Sequence, residues 1–184
     1  ESLLILTPTP ANTADQIAER DHQGAMLIVL PKWNALPSQR RAGWVNTLGV
    51  HEPAQDLLNL LPDEMGAGAT LSEREGTATV AFSRPQGQRL SSAIEIEGLR
   101  TLKGPGWIPV IVDDRGEAVL VMHEDSWTYV LADPDLIATH GLKSHAGADL
   151  AMQVMDLTRA GDMPVAFDLT LNGFQRTRSL WRLV

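Results

Sequence analysis

Two short runs of unbroken apolar residues, Leu3-Leu4-Ile5-Leu6 and residues 25–30, constrain this chain more than any other feature. A strand with one wet face alternates apolar and polar residues, whereas a strand covered on both faces does not. Neither run alternates. The first is closed by Thr7-Pro8-Thr9-Pro10 and the second by Pro31, and proline cannot donate to a ladder. Between them, Asn12 or Thr13 can cap a helix over 14–23, with Gly24 as its stop. Strand, helix and strand at this spacing predict a right-handed parallel unit.

Downstream the character changes twice. Residues 37–61 have a mostly helical composition, broken near Gly49 and Pro53, with an apolar cluster over 55–61. Gly66 and Gly68 then mark a loop. Residues 69–83 and 91–102 lean to strand, with period-two alternation in Thr77-Ala78-Thr79-Val80-Ala81-Phe82 and Ala93-Ile94-Glu95-Ile96. Pro85-Gln86-Gly87 reads as the turn between them, so about 69–102 is expected to be an antiparallel insertion or edge. Strands over 108–112, 117–122 and 127–131 follow as a meander. Their turns, Asp113-Asp114-Arg115-Gly116 and His123-Glu124-Asp125-Ser126, are rich in residues that form local side-chain bonds or accept positive φ. A helix over 149–160 carries Leu150, Ala151, Val154, Met155 and Leu157 on one side, and a last strand spans 163–167. Together these predict one α/β domain over residues 1–184, three-layered, with a mainly parallel central sheet of flavodoxin or amidotransferase type and antiparallel additions.

Several chemistries are closed off by composition. There is no cysteine, which removes disulfides, thiolate zinc sites and Cys nucleophiles. The formal charge is −8. The pair Arg40-Arg41 and the tail arginines 176, 178 and 182 are too sparse to reverse that field, so nucleic acid is not an expected partner. No apolar run approaches the roughly 18–20 residues that span a bilayer. The chain opens at Glu1-Ser2 and enters a strand at once, which suggests a piece of a longer protein.

Four segments carry a family likeness: Leu30-Pro31-Lys32-Trp33; Gly116 to Val121; Trp127 through Asp133-Pro134-Asp135-Leu136; and Pro164-Val165-Ala166-Phe167-Asp168 with Asn172-Gly173-Phe174. They resemble an uncharacterised bacterial family of membrane-anchored proteins with a class I glutamine amidotransferase-like fold. Its members are often encoded beside MoxR-type AAA ATPases and von Willebrand factor A-like proteins. The resemblance implies such neighbours as protein partners, a strand and helix before Ser2, and a membrane helix after Val184. It also exposes departures. Where the family has an acidic residue after Asp168 this chain has Leu169, and where the family has a histidine it has Asn172.

Amidotransferases of this fold use a Cys nucleophile, which is absent. A serine substitute would need a G-x-S-x-G elbow; Ser144, between Lys143 and His145, is the nearest imitation. His140 and His145 are five apart, which is not the i, i+4 spacing of one helix face. A metal held by these two and an aspartate is conceivable, but polar loop residues are the plainer account. Asp113-Asp114 reads as a solvated turn, and Glu95 with Glu97 as the wet side of a sheet. Core packing is the default for the five tryptophans, with Trp33 and Trp181, near loops and chain ends, the candidates for a contact surface. No catalytic residue, metal ligand or cofactor is assigned.

Open α/β sheets bind ligands beyond the carboxyl ends of their strands. Here those ends carry Thr7, Pro31 to Trp33, Asp133 and Asp168. With His140 and Asn172 added, the candidate ligand-binding set is Thr7, Lys32, Trp33, Asp133, His140, Asp168 and Asn172. The preferred function is a non-catalytic ligand-sensing or protein-interaction domain of a membrane-anchored protein. The alternative is a hydrolase or transferase with an unconventional Ser or Asp site at the same strand ends.

Overall fold

The computed structural model of the protein describes residues 2–20, 22–37, 40, 45–138, 142, 144–159 and 161–172. Both unbroken apolar runs are strands, β1 (Leu3–Leu6) and β2 (Met26–Val29), and they pair in parallel, Leu4 beside Met26 and Leu6 beside Ile28. Helix α1 (Ala14–Ala18) lies between them. Thr13 is its cap: the hydroxyl accepts from the Gln16 N–H while the Gln16 side chain accepts from the Thr13 N–H. Asn12 instead accepts from the N–H and hydroxyl of Thr9.

The expected helix over 14–23 is cut short. The chain turns after Glu19 because tertiary contacts take over. Arg20 reaches Asp168, and the His22 ring bonds the Ser2 carbonyl at 2.7 Å. Gly24, with φ +152°, passes so close to Ser2 that a Cβ would lie 2.6 Å from its carbonyl oxygen, so only glycine fits.

A larger correction concerns 37–61. Trp33–Pro37 (β3) and Val45–Val50 (β4) form an antiparallel hairpin, followed by a 3-10 turn, Ala54–Leu60, and the short helix α2 (Asp63–Gly66). Val45, Thr47 and Val50 are β-branched and prefer a pleated surface. The helical reading rested on composition without helical periodicity. The register of the hairpin shifts between Asn34 and Ala35, which pair with Gly49 and Thr47. Leu48 is therefore the extra residue of a bulge, and Gly49 takes φ +123° beside it.

The region 69–102 is antiparallel, as expected. β5 (Thr70–Glu73) pairs with β8 (Arg100–Lys103), and β6 (Thr77–Val80) with β7 (Ile94–Glu97). The two ladders make one ribbon, offset by a residue where the Arg74 N–H meets the Leu99 carbonyl. Glu95 and Glu97 are exposed while Ile94 and Ile96 are buried, as the alternation predicts.

β9 (Trp107–Val112), β10 (Ala118–His123) and β11 (Thr128–Leu131) form the meander, and β11 joins β2 in parallel. Helix α3 runs over His145–Thr158, starting four residues before the expected 149. Ser144 sets that start as its cap. β12 (Val165–Asp168) then pairs in parallel with β1. The resulting sheet is mostly parallel, in the order β12-β1-β2-β11-β10-β9.

Alternate strand residues go to opposite faces. Leu3, Ile5, Leu27, Val29 and Leu131 pack with Leu150 and Val154 of α3 and with Phe82, Ile94 and Ile96 of the ribbon. Leu6, Ile28, Leu30, Val130 and Ala132 pack with Ile17 of α1 and with Leu57, Leu58 and Leu60 of the 3-10 turn. Both faces are covered, which is why the strands lack polar alternation.

Leu150 is fully buried beneath α3, whereas Met152 on the same helix is 61% exposed. Leu150→Ala is expected to lower unfolding free energy by about 2–5 kcal/mol, and Met152→Ala by less than about 0.5 kcal/mol. Urea denaturation of the two variants checks the pair.

Candidate functional site

The carboxyl ends of β2 and β11 hold a buried charge cluster. Lys32, three residues past β2, donates from Nζ to Asp133 Oδ2 at 2.9 Å and to Asp135 Oδ2 at 2.8 Å. Asp133, two residues past β11, also accepts from the Asp135 N–H through Oδ1 and from the Arg100 N–H through Oδ2. The Trp33 indole N–H donates to Asp135 Oδ1 at 2.8 Å, and the Lys32 ammonium sits 5.4 Å from the centre of that ring.

Arg100 closes the cluster from the ribbon. Its guanidinium donates to Glu73 Oε2, the Pro31 carbonyl and the His51 carbonyl. Lys32, Asp133 and Arg100 are all shut off from solvent. A buried charge survives only when paired and hydrogen-bonded, and here each has that support. Burial pushes the Asp133 carboxyl above its ordinary range. The Lys32 ammonium opposes this, and the neighbouring Asp135 adds to it.

Above the cluster lies an open groove of about 600 Å³. Thr7 and Pro8 to Ala11 form one wall, and Asn34, Leu36 and Leu48 of the hairpin form the other, with Pro31, Trp33 and Asn172 between. The bulge turns Leu48 into this space; bulges re-aim side chains in this way. Leu36 and Leu48 are 55% and 65% exposed. Among the described residues none that lines the groove carries a charge. The polar ones are already engaged within the fold: Asn172 donates to Thr7, Thr9 to Asn12, and Asn34 to the Val50 carbonyl.

The seven candidate residues thus divide. Thr7, Trp33 and Asn172 meet at the groove. Lys32 and Asp133 lie buried beneath it, so the expectation that they contact a ligand is corrected: their side chains are sealed by Asp135, Arg100 and Trp33. Asp168 sits to one side, with Arg20 Nε at 2.6 Å and with Thr170 donating both its N–H and its hydroxyl. His140 lies outside the described residues, as does Trp181.

Ser144 is a helix cap, accepting from the Gly147 N–H at 3.0 Å. His145 is exposed and lies 3.6 Å from Asp149. Among the described residues no group of three His, Asp or Glu side chains could hold a metal. Asp113 is not a solvated turn residue. It is buried, paired with Arg74, and accepts from the N–H groups of Arg115 and Glu117; only Asp114 is open to solvent.

Sequence reasoning missed Asp135, Arg100, Glu73 and the hairpin leucines. Asp133-Pro134-Asp135 did carry a signal. A proline between two aspartates starts a 3-10 turn, and the first aspartate caps it. Arg100, between Leu99 and the Thr101-Leu102 pair in a strand, was a second signal: a charge at a position whose neighbours are buried. Compared with models of known protein families the chain matches none, and compared with curated proteins it also gives no match.

Removing the central cation leaves two buried carboxylates unpaired. Lys32→Met is expected to cost about 3–5 kcal/mol of stability, and adding Asp133→Asn and Asp135→Asn to it should restore part of that loss, as read by urea titration. A second prediction concerns Asp168. Burial raises this carboxyl, but the Thr170 hydroxyl and N–H and the Arg20 guanidinium outweigh that and hold it below its ordinary value of 3.8. A lowered folded value contributes stability above the unfolded value, and that contribution is lost as pH falls through the folded one. Asp168→Asn should therefore be less stable than the parent above pH 3.8 and converge with it at lower pH, followed by thermal melts across the acid range.

Proposed function

We propose that this chain is a non-catalytic ligand-sensing or protein-interaction domain. Its scaffold is read as a three-layer α/β arrangement of flavodoxin or amidotransferase type, carried by a membrane-anchored parent protein. One observation supports this reading above the rest. At the carboxyl ends of β2 and β11, where an enzyme of this architecture would keep its reactive groups, the ionisable side chains are bound to one another, and the described residues that line the groove above them are uncharged.

Chemistry at such a site needs a nucleophile, a base and an orienting group within reach of a substrate. Asp133 is sealed by Lys32, Arg100 and Asp135, and Asp168 is held by Arg20 and Thr170. The exposed apolar residues of the groove are Pro10, Leu36 and Leu48, with Trp33 half-buried beside them, and its polar residues are engaged within the fold. Apolar anchors around a shallow pocket favour burial of a partner's apolar side chains. The family resemblance directs the choice of partner to AAA ATPases and von Willebrand factor A-like proteins. No described helix is long and apolar enough to cross a membrane, and the membrane anchor belongs to the reading of the parent protein.

The test is capture of those two partner classes from bacterial extract. The chain itself should retain an ATPase of the AAA class or a von Willebrand factor A-like protein, and Leu48→Glu should lose it, because a charge placed in the groove must be desolvated on binding. Equal recovery by both chains, or recovery of neither partner class, would contradict the proposal.

A further inference from the structure

The central sheet ends in two edges that are defended differently. β9 carries Pro109, its ladder with β10 shifts register twice, and Val112 exchanges two main-chain bonds with Ser83 at 2.8 and 3.0 Å. Proline, bulges and a covering segment are the devices that keep a sheet edge from pairing. Among the described residues β12 has none of them. Its register with β1 runs unbroken from Val165 to Asp168, with no proline or lysine within it.

The outward groups of β12 follow from that register. Leu3 stands beside Val165, and the Leu3 N–H donates to the Pro164 carbonyl at 2.9 Å. Alternate residues of a strand turn their main-chain groups to the same neighbour, so Pro164, Ala166 and Asp168 face β1. Val165 and Phe167 face away from it, with N–H and C=O groups that no other described residue pairs. Their side chains are also uncovered: Val165 is 39% and Phe167 60% exposed, and Leu169 continues the stripe.

We infer that β12 pairs antiparallel with β12 of a second copy of this chain, about a two-fold axis at Ala166. The strand is complementary to itself in that register. Val165 stands opposite Phe167 in both halves, and these are the residues whose main-chain groups point outward, so the pairing closes four hydrogen bonds. Both apolar pairs fall on the exposed face. On the other face Ala166 meets Ala166 and Asp168 meets Pro164, so no like charges oppose one another, and Asp168 keeps its own Arg20. A two-fold contact of this kind closes on itself and stops at the dimer. A charge of −8 on each copy resists association, and added salt screens that repulsion.

Sedimentation of the chain over a concentration series tests the inference. The chain should form a dimer that tightens with salt. Phe167→Lys and Val165→Pro should each weaken it by roughly tenfold or more, while melting like the parent at concentrations where the parent is itself monomeric, because Phe167 is exposed and the Val165 N–H takes no part in the ladder with β1. The chain has no cysteine, so Ala166→Cys adds a unique thiol. Residues facing across the axis in a non-hydrogen-bonded pair have Cα atoms about 4.5 Å apart, within disulfide reach. Ala166→Cys should oxidise to a covalent dimer and Val165→Cys should not. A chain that stays monomeric up to millimolar concentration, a dimer indifferent to the edge variants, or equal cross-linking at 165 and 166 would overturn the inference.

Discussion

The contacts of Lys32 and Arg100 with Asp133 join parts of the chain that are distant in sequence. Lys32 follows β2, Asp133 and Asp135 follow β11, Arg100 lies in β8, Glu73 in β5, and His51 just past β4. Two parallel strands, the antiparallel ribbon and the hairpin thus converge on one set of charges. Apolar packing alone would hold these elements against the sheet without fixing their position. Directional bonds to buried charges do fix it, because a displaced ribbon would leave Asp133 without the Arg100 N–H and the guanidinium without the Pro31 and His51 carbonyls. Burying four ionisable groups, Lys32, Arg100, Asp133 and Asp135, opposes folding. Burial holds the Asp133 carboxyl above its ordinary range, so its contribution to stability is greatest at low pH and is lost as pH rises through the folded value.

How far the sequence discloses this depends on whether local or distant forces set each element. β1, β2 and the meander are legible because burial on both faces writes itself into the residues, as in Leu3 to Leu6. The ribbon is legible from alternation at Thr77 to Phe82. The β3–β4 hairpin is not, since its exposed residues, such as Asn46, Thr47 and Leu48, carry no face-specific pattern. Helix α1 reads too long for a related reason. Nothing within 14–23 stops it; Arg20 and His22 are drawn off by Asp168 and Ser2, which no local pattern records.

The candidate site was half legible in the same sense. Strand ends can be located from the runs that precede them, and Thr7, Trp33 and Asn172 do meet at one groove. The pairing of Lys32 with Asp135 cannot be located this way, because it spans 103 residues. Charges beside strand ends then look available for a ligand when they are engaged with one another. Trp33 has both characters: its indole N–H is bound to Asp135 beneath, while its ring lines the groove above.

The groove and the β12 edge share one short segment. β12 runs directly into the 3-10 turn Thr170–Asn172, whose Asn172 donates to Thr7 at the groove wall. Asp168 ends the strand, binds Arg20 just after α1, and accepts from Thr170 at the start of the turn. A strand added at Val165 and Phe167 would stiffen β12 where it meets these bonds, and so reduce the freedom of the turn that positions Asn172. Coupling of this kind requires no change in shape, since ordering one site lowers the cost of ordering the other. Edge and groove would then act as two ends of one element, linked through the Asp168 carboxylate.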